Sequence, residues 1–392
     1  MLCLVFIGLG TLSILTKKKT IYWLANSKSP HVRHWDEIIA KVACDYDFQI
    51  ISIWHKNSLE EIELGTVTCK QILPKFFSVF PEIFQYFFLG VIIRFVAKNE
   101  AYALHAHGTS GYGLAALVSG FKYGVTTYGS EIYAASKRGC VYKALINKIL
   151  TSSTAITSAS PKMTDTLKRN FNVEDAKIHE FSLGVSSTFY FSAKESKRVR
   201  DKLGVVEGPI WVANRRVAPI YHTLELVQAF IRTRKRTNTG HLLIMEGDAD
   251  KSYLSDVELL CETCPHITII SGFINQGGLR AFLSAADFAI SIPDTDQLSS
   301  SILEGAVCGA IPLLRNLSCY DLVKGFSIVF EINDKDSYEE IFLKSSLIYH
   351  KGECADLVKK VLAGVEKFKM EFAIPDMLNF YRSIFAVLCP KS

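Results

Sequence analysis

The sequence predicts an α/β protein made of two parallel-sheet domains, on three observations. Short apolar runs bounded by glycine or proline alternate with amphipathic helical patterns along both halves of the chain. Its 392 residues are enough for two such domains with ample cores. A run from 291 to 314 reads as buried strand, acidic loop, helix, glycine break and buried strand. Open sheets of this kind bind ligands at the carboxyl ends of their strands, beside helix N-termini.

Residues 1–19 form an apolar and basic extension in which 2–15 are largely apolar and Lys17, Lys18 and Lys19 follow. It is shorter than the roughly 20 residues needed to span a bilayer. Lysines placed after the apolar part reverse the order of a cleavable signal. The segment reads as a short anchor or interfacial piece with cytoplasmic lysines, or as irrelevant if the chain starts near Thr20.

The first domain is expected over 20–185. A strand at 20–25 leads through the loop Asn26-Ser27-Lys28-Ser29-Pro30 into an amphipathic helix at 31–42 and a strand at 48–54. The aromatic stretch 76–95 is interrupted by Pro81, Glu82, Gln85 and Arg94, which argues against a spanning helix. Two readings stay open: a surface helix dipping aromatic side chains into a headgroup region, or a helix facing the core. A strand through 101–107 ends at His105-Ala-His107, with a helix at 114–120 behind it. Gly108, Gly111 and Gly113 do not have the spacing of a dinucleotide fingerprint. A further strand ends at Tyr128-Gly-Ser-Glu131.

The second domain is expected over 186–370, after Leu183-Gly-Val and a charged stretch at 194–202. Its first strand, at Trp211, ends in Arg215 and Arg216, and Pro219 and Tyr221 precede an amphipathic helix. The next strand ends in Gly247-Asp248, and another runs through 266–271. In the 291–314 run, the strand 288–292 is followed by Asp294 and Asp296, by Ser299, Ser300 and Ser301 at a helix start, and by Gly309 before the strand 311–314. Glu304 shares a helix face with Ser300 and Ser301. A carboxylate there can hold a vicinal diol such as ribose, with the amides between the two acids receiving a diphosphate. Ser301-Ile-Leu-Glu304 equally fits a capping box. Residues 371–392 carry a last helix, at 376–388, expected to return to the first domain.

These residues, in this order, resemble the retaining glycosyltransferases of family 4. The resemblance implies the GT-B fold, two Rossmann-like domains facing a central cleft. It implies that Glu304 holds the nucleotide ribose and that Asp296, standing for the usual first Glu, contacts the donor sugar. Arg215 or Arg216 would neutralise the diphosphate, with Tyr221 where Lys is common, and Gly247 would let the backbone approach the nucleotide. Ser27, His107, Tyr128 and Glu131 would line the cleft on the acceptor side. Tyr128 stands at the usual His and Glu131 at the usual Asp, which leaves His107 as the imidazole candidate and places it with Asp296 and Glu304 among the catalytic residues.

The implied activity is transfer of a sugar from a nucleotide-diphosphate sugar to a hydroxyl of a glycan or lipid-linked acceptor, with anomeric retention, in bacterial capsule, O-antigen or exopolysaccharide assembly. No protein nucleophile is evident. The departing diphosphate takes the acceptor proton, and no metal or cofactor is expected, because arginine and helix dipoles neutralise the phosphates. Three alternatives remain open: Asp294-Thr-Asp296 as a manganese site, a nucleotide-sugar 2-epimerase of the same architecture, and a degenerate binding subunit, suggested by Tyr128 and Tyr221. Forty-four basic against 39 acidic residues give a net charge of +5, which argues against a nucleic-acid binder and suits an anionic ligand or a bilayer surface. The cluster from Arg232 to Arg236 reads as a solvated helix end. Ten scattered cysteines fit a reducing cytosol, and Cys261-Glu-Thr-Cys264 lacks the second pair of a zinc site. The expected location is the cytoplasm, at the inner face of the membrane.

Overall fold

The computed structural model describes residues 19–41, 46–54, 65–96, 103–135, 137–272 and 274–386. The extension expected over 1–19 lies outside them except for Lys19, which opens the first strand.

Seven strands form the first sheet: β1 (Lys19–Leu24), β2 (Tyr46–Ile51), β3 (Thr68–Lys70), β4 (Ala103–His107), β5 (Tyr123–Thr126), β6 (Ala155–Ser158) and β7 (Ile178–Glu180). Their order is β3-β2-β1-β4-β5-β6-β7, parallel throughout, so the order reverses between β1 and β4. The second sheet contains β8 (Ile210–Ala213), β9 (His241–Met245), β10 (Ile267–Ile270), β11 (Phe288–Ser291), β12 (Ile311–Arg315) and β13 (Ile328–Phe330). It runs β10-β9-β8-β11-β12-β13, also parallel, with its reversal between β8 and β11. Every residue of β4, β8, β9 and β11 is buried, as helices on both faces of a parallel sheet require.

Each domain has its own aromatic core. Trp23, Trp35, Phe48, Phe380 and Tyr381 pack together in the first, and Trp211, Phe230, Phe288 and Phe342 in the second. Phe380 and Tyr381 belong to the last helix, Ile374–Ala386, which therefore returns to the first sheet as expected and packs over β5, β6 and β7. Residues 387 and 388, expected to complete that helix, lie outside the described residues.

The chain crosses between the domains twice, and the crossings are bonded to each other. The Val185 N–H donates to the Phe368 carbonyl at 2.8 Å, and the Met370 N–H to the Val185 carbonyl at 3.2 Å. Gly184 precedes the first crossing with φ 73°, and a Cβ there would lie 2.5 Å from the Phe368 carbonyl oxygen. Only glycine meets both constraints without strain.

In the aromatic stretch, the helix Glu82–Val96 turns Gln85, Leu89, Gly90 and Ile93 inward. Gly90 allows close approach to the helix Gly111–Ser119, since a Cβ would sit 2.5 Å from the Ala115 carbonyl oxygen. Phe80, Ile83, Phe84 and Phe87 remain exposed on the outer side. The core-facing reading therefore holds for the inner side of this helix. Among the described residues, no helix is long and apolar enough to cross a membrane.

Candidate functional site

A cleft of about 770 Å³ lies between the carboxyl ends of the two sheets. On the second-domain wall, β11 runs into an acidic loop and then into the helix Ser300–Val307. Ser299 is its N-cap, its Oγ accepting from the Ser301 N–H at 3.3 Å and lying 2.8 Å from the Ser301 hydroxyl. The Asn214 side-chain amide donates to the Ser301 carbonyl at 2.6 Å and ties the helix start to the end of β8. No acid occupies the first turn, so the amino end of this helix offers its dipole to an anion. Ser299 and Ser300 line the cleft, and Ser301 stands just behind them.

Arg215 projects into the same space. Its guanidinium grips Asp296 bidentately at 2.8 and 3.2 Å, donates to the Tyr221 hydroxyl at 2.9 Å and lies 4.5 Å over the Tyr221 ring. Tyr320 donates to Asp296 as well, at 2.7 Å. A carboxylate has about four lone-pair positions, and these bonds use three, so Asp296 keeps one for a ligand while holding Arg215 in place. Tyr221 thus steers a neighbouring cation instead of supplying one.

Glu304 sits one turn inside the helix, bonded to Ser300. Burial pushes its carboxyl up to about 7, the nearby Arg215 charge opposes that rise, and Glu37 of the opposite domain adds to it. Because the N-cap is Ser299, Glu304 lies beyond the third helical position that a capping box requires, so that reading is set aside.

Other expected residues are placed elsewhere. Arg216 donates to the Asp248 carbonyl at 3.1 Å and does not line the cleft. Gly247, with φ 60°, gives Arg216 room, as a Cβ there would lie 3.0 Å from the Arg216 Cβ. Asp294 is bonded to Arg315 at 2.7 Å and His222 at 2.9 Å, away from the partners of Asp296, so the two carboxylates do not converge on one point. Among the described residues, no group of three or more His, Cys, Asp or Glu is arranged to hold a metal. Cys261 and Cys264 are unpaired.

The first-domain wall departs further from expectation. His107 is buried against Trp23 and His105, with ring centroids at 4.9 and 4.1 Å, and does not line the cleft. Burial, with the charge of His31 adding, takes its imidazole down to about 3 and keeps it neutral. Glu131 turns away as well. It accepts from the Thr109 and Ser110 N–H groups at 2.6 and 3.0 Å and from the Ser110 hydroxyl, capping the helix Gly111–Ser119. Ser27 stays in the turn that Asn26 closes onto Lys28 and Ser29. Only Tyr128 of the expected acceptor-side residues lines the cleft, its hydroxyl buried without a partner.

The residues that line this wall in their place are His31, His34, Lys137, Arg138 and Lys162. His31 packs 4.8 Å from the Tyr128 ring, and burial takes His34 down to about 4. The two histidines stand three apart at the start of one helix, a spacing that puts them on one face and was readable. Across the cleft, Gln297 packs on Gly129, where a Cβ would lie 2.5 Å from its Nε2. Gln276 donates to Glu37 at 2.8 Å, a second contact between the domains.

The family model described as glycosyl transferase 4-like matches residues 20–160. No curated protein shows significant similarity to the chain. Among solved structures, the chain is similar to sucrose-phosphate synthase from Thermosynechococcus elongatus, with TM-score 0.75 and 16% identity over 94% of this chain and 100% of that one. It is similar to a glycosyltransferase from Rickettsia africae, with TM-score 0.74 and 16% identity over 94% and 99%. It is also similar to HepE of Anabaena in complex with UDP and glucose, with TM-score 0.73 and 13% identity over 93% and 100%. The shared architecture is the GT-B fold.

Proposed function

We propose that the chain, with its GT-B fold and a match of residues 20–160 to a glycosyl transferase 4-like model, is a glycosyltransferase that moves a sugar from a nucleotide-diphosphate donor to an acceptor hydroxyl with anomeric retention. One observation carries this reading: Arg215 and the acid-free amino end of the helix Ser300–Val307 meet on one wall of the cleft, beside the strand-order reversal between β8 and β11, with Glu304 bonded to Ser300 one turn behind that wall. Glu304 accepts from the ribose diol. Arg215 and the helix amides take the diphosphate. The remaining lone pair of Asp296 receives a sugar hydroxyl.

In the reaction the bond from the anomeric carbon to the diphosphate oxygen breaks as the bond to the acceptor oxygen forms on the same face. The acceptor proton passes to the departing diphosphate. Arg215 and the helix amides stabilise the charge that grows on that oxygen, and no metal is required for it. The HepE complex with UDP makes uridine diphosphate sugars the first donors to try.

The acceptor belongs on the Tyr128 wall, and surface-polysaccharide assembly at the inner membrane face is the setting that the exposed phenylalanines of 76–95 support. Domain boundaries near 185 and 370 are supported by the paired crossings at Val185 and Met370.

The test is thermal stabilisation by UDP, GDP, ADP, dTDP and CMP, with EDTA and with manganese, on wild type and Glu304→Ala. A metal-independent shift by one nucleoside diphosphate, lost in the variant, is expected. A shift seen only with manganese would restore the Asp294 and Asp296 metal site. No shift at all would turn the reading to a binding subunit.

A further inference from the structure

Resting on that reading, we propose that the acceptor carries a phosphate group, recognised by Lys137, Arg138 and Lys162 on the first-domain wall of the cleft. The charges lining the cleft are unevenly divided. Asp296 is the only carboxylate among them, and Arg215 already holds it. Lys137, Arg138 and Lys162 have no carboxylate within 4 Å among the described residues. Arg138 donates to the Tyr142 hydroxyl at 3.1 Å and lies 5.2 Å over its ring, and Lys162 stands 5.7 Å from the centre of the Tyr133 ring. Such contacts orient cations without neutralising them.

Lys162 is also electrostatically misplaced. It is the second residue of the helix Pro161–Phe171, whose N-cap Ser160 accepts from the Met163 N–H at 3.3 Å and whose first turn contains no acid. The positive end of a helix disfavours a cation, and the two together make a strong site only when an anion sits between them. A donor diphosphate on the opposite wall has its charge met by Arg215 and the helix Ser300–Val307. A second anion therefore fits the cations of the first wall. Tyr128 and Gln297 border the same space with a hydroxyl and an amide that are buried without partners, the groups that neighbouring sugar hydroxyls would satisfy.

The phosphate can belong to a soluble sugar phosphate or to a lipid-linked sugar. Both present the same chemistry to these cations. The experiment uses the full chain saturated with the nucleoside diphosphate that stabilises it, titrated with inorganic pyrophosphate by calorimetry. The variant is Lys137→Gln, Arg138→Gln and Lys162→Gln together, with its circular dichroism compared with wild type. Pyrophosphate is expected to bind the nucleotide-saturated wild type, and at least tenfold more weakly the triple variant, while nucleotide affinity changes less than twofold. Glucose 6-phosphate and vesicles containing undecaprenyl phosphate then separate the two sources by which one the wild type binds and the variant loses. Absence of pyrophosphate binding to the saturated wild type, or a tenfold loss of nucleotide affinity in the variant, overturns the proposal. Failure of every nucleoside diphosphate to bind would instead overturn the donor reading on which it rests.

Discussion

The Trp23 indole N–H donates to the Tyr381 hydroxyl at 3.1 Å, joining the first strand to the last helix across 358 positions of sequence. The same hydroxyl meets His105 Nδ1 at 3.1 Å, and the far nitrogen of that ring meets the Thr126 hydroxyl at 2.8 Å. One oxygen therefore binds the helix Ile374–Ala386 to β1 and β4 inside a fully buried core. Tyr381→Phe keeps the ring but leaves the Trp23 donor and the His105 nitrogen without that partner. Each loss in a buried site is worth about 1–3 kcal/mol. Urea denaturation should show a loss in this range or somewhat above it, with the thermal shift by nucleotide preserved because Tyr381 does not line the cleft.

Gly184 controls how the two domains are joined. An alanine at φ 73° would be strained, and its Cβ would press on the Phe368 carbonyl oxygen at 2.5 Å, loosening the Val185 bridge. Strain of this kind amounts to about 1–3 kcal/mol. Gly184→Ala should lower the unfolding midpoint and change kcat and KM together, because the crossing sets the cleft geometry on which domain closure depends. A change in KM alone would speak against that coupling.

Glu304 gives the site a pH dependence whose sign can be derived. Its carboxyl is raised to about 7 in the folded chain, from an ordinary value of 4.5. The stability it contributes is present below the ordinary value and lost as pH rises through 7. Nucleotide binding should run the other way, since two ribose hydroxyls donate best to an ionised carboxylate. Between pH 6 and 8 the unfolding temperature of the free protein should fall while the added stabilisation by nucleotide grows. Glu304→Gln should flatten both trends. Glu37→Gln should move the midpoint to lower pH by removing a facing negative charge.

The order of strands and helices was legible because each strand is a short buried run and each turn has its own punctuation. Gly309, at φ 91° before β12, is one such case. The second-domain wall was legible for a related reason: Arg215 and Asp296 lie in the short loops after β8 and β11, and Ser299 and Ser300 open the helix that follows, so the sheet dictates the direction of all four. The first-domain wall was not. All five residues of β4 are buried, so alternation along the strand does not tell which side His107 takes, and Trp23 and Trp35 decide it from distant positions. Glu131 was misread because its partners, the Thr109 and Ser110 amides, lie some twenty residues upstream in a helix start that Ser110 leaves uncapped. Lys137 and Arg138 follow the short helix Gly129–Tyr133, and only the fold turns that loop toward the cleft.

The outer face of the helix Glu82–Val96 and the turn before it leave Phe80, Phe84 and Phe87 at 41, 52 and 46% exposure, although Leu89 and Ile93 in the same helix are buried. The inner face is fixed by Gly90 against the helix Gly111–Ser119, so the outer phenylalanines are presented on a rigid support. Burying the exposed half of each ring in a bilayer interface is worth about 1 kcal/mol. Replacing all three by serine removes about 3 kcal/mol, or roughly 100-fold in partitioning. In sedimentation with anionic vesicles, the triple variant should stay in the supernatant at lipid concentrations that bring the wild type down. Its unfolding temperature should change little, because none of the three rings belongs to the core cluster beneath this helix. Equal sedimentation of both proteins would remove the phenylalanines from any membrane role, and a fall in unfolding temperature would assign them to the core.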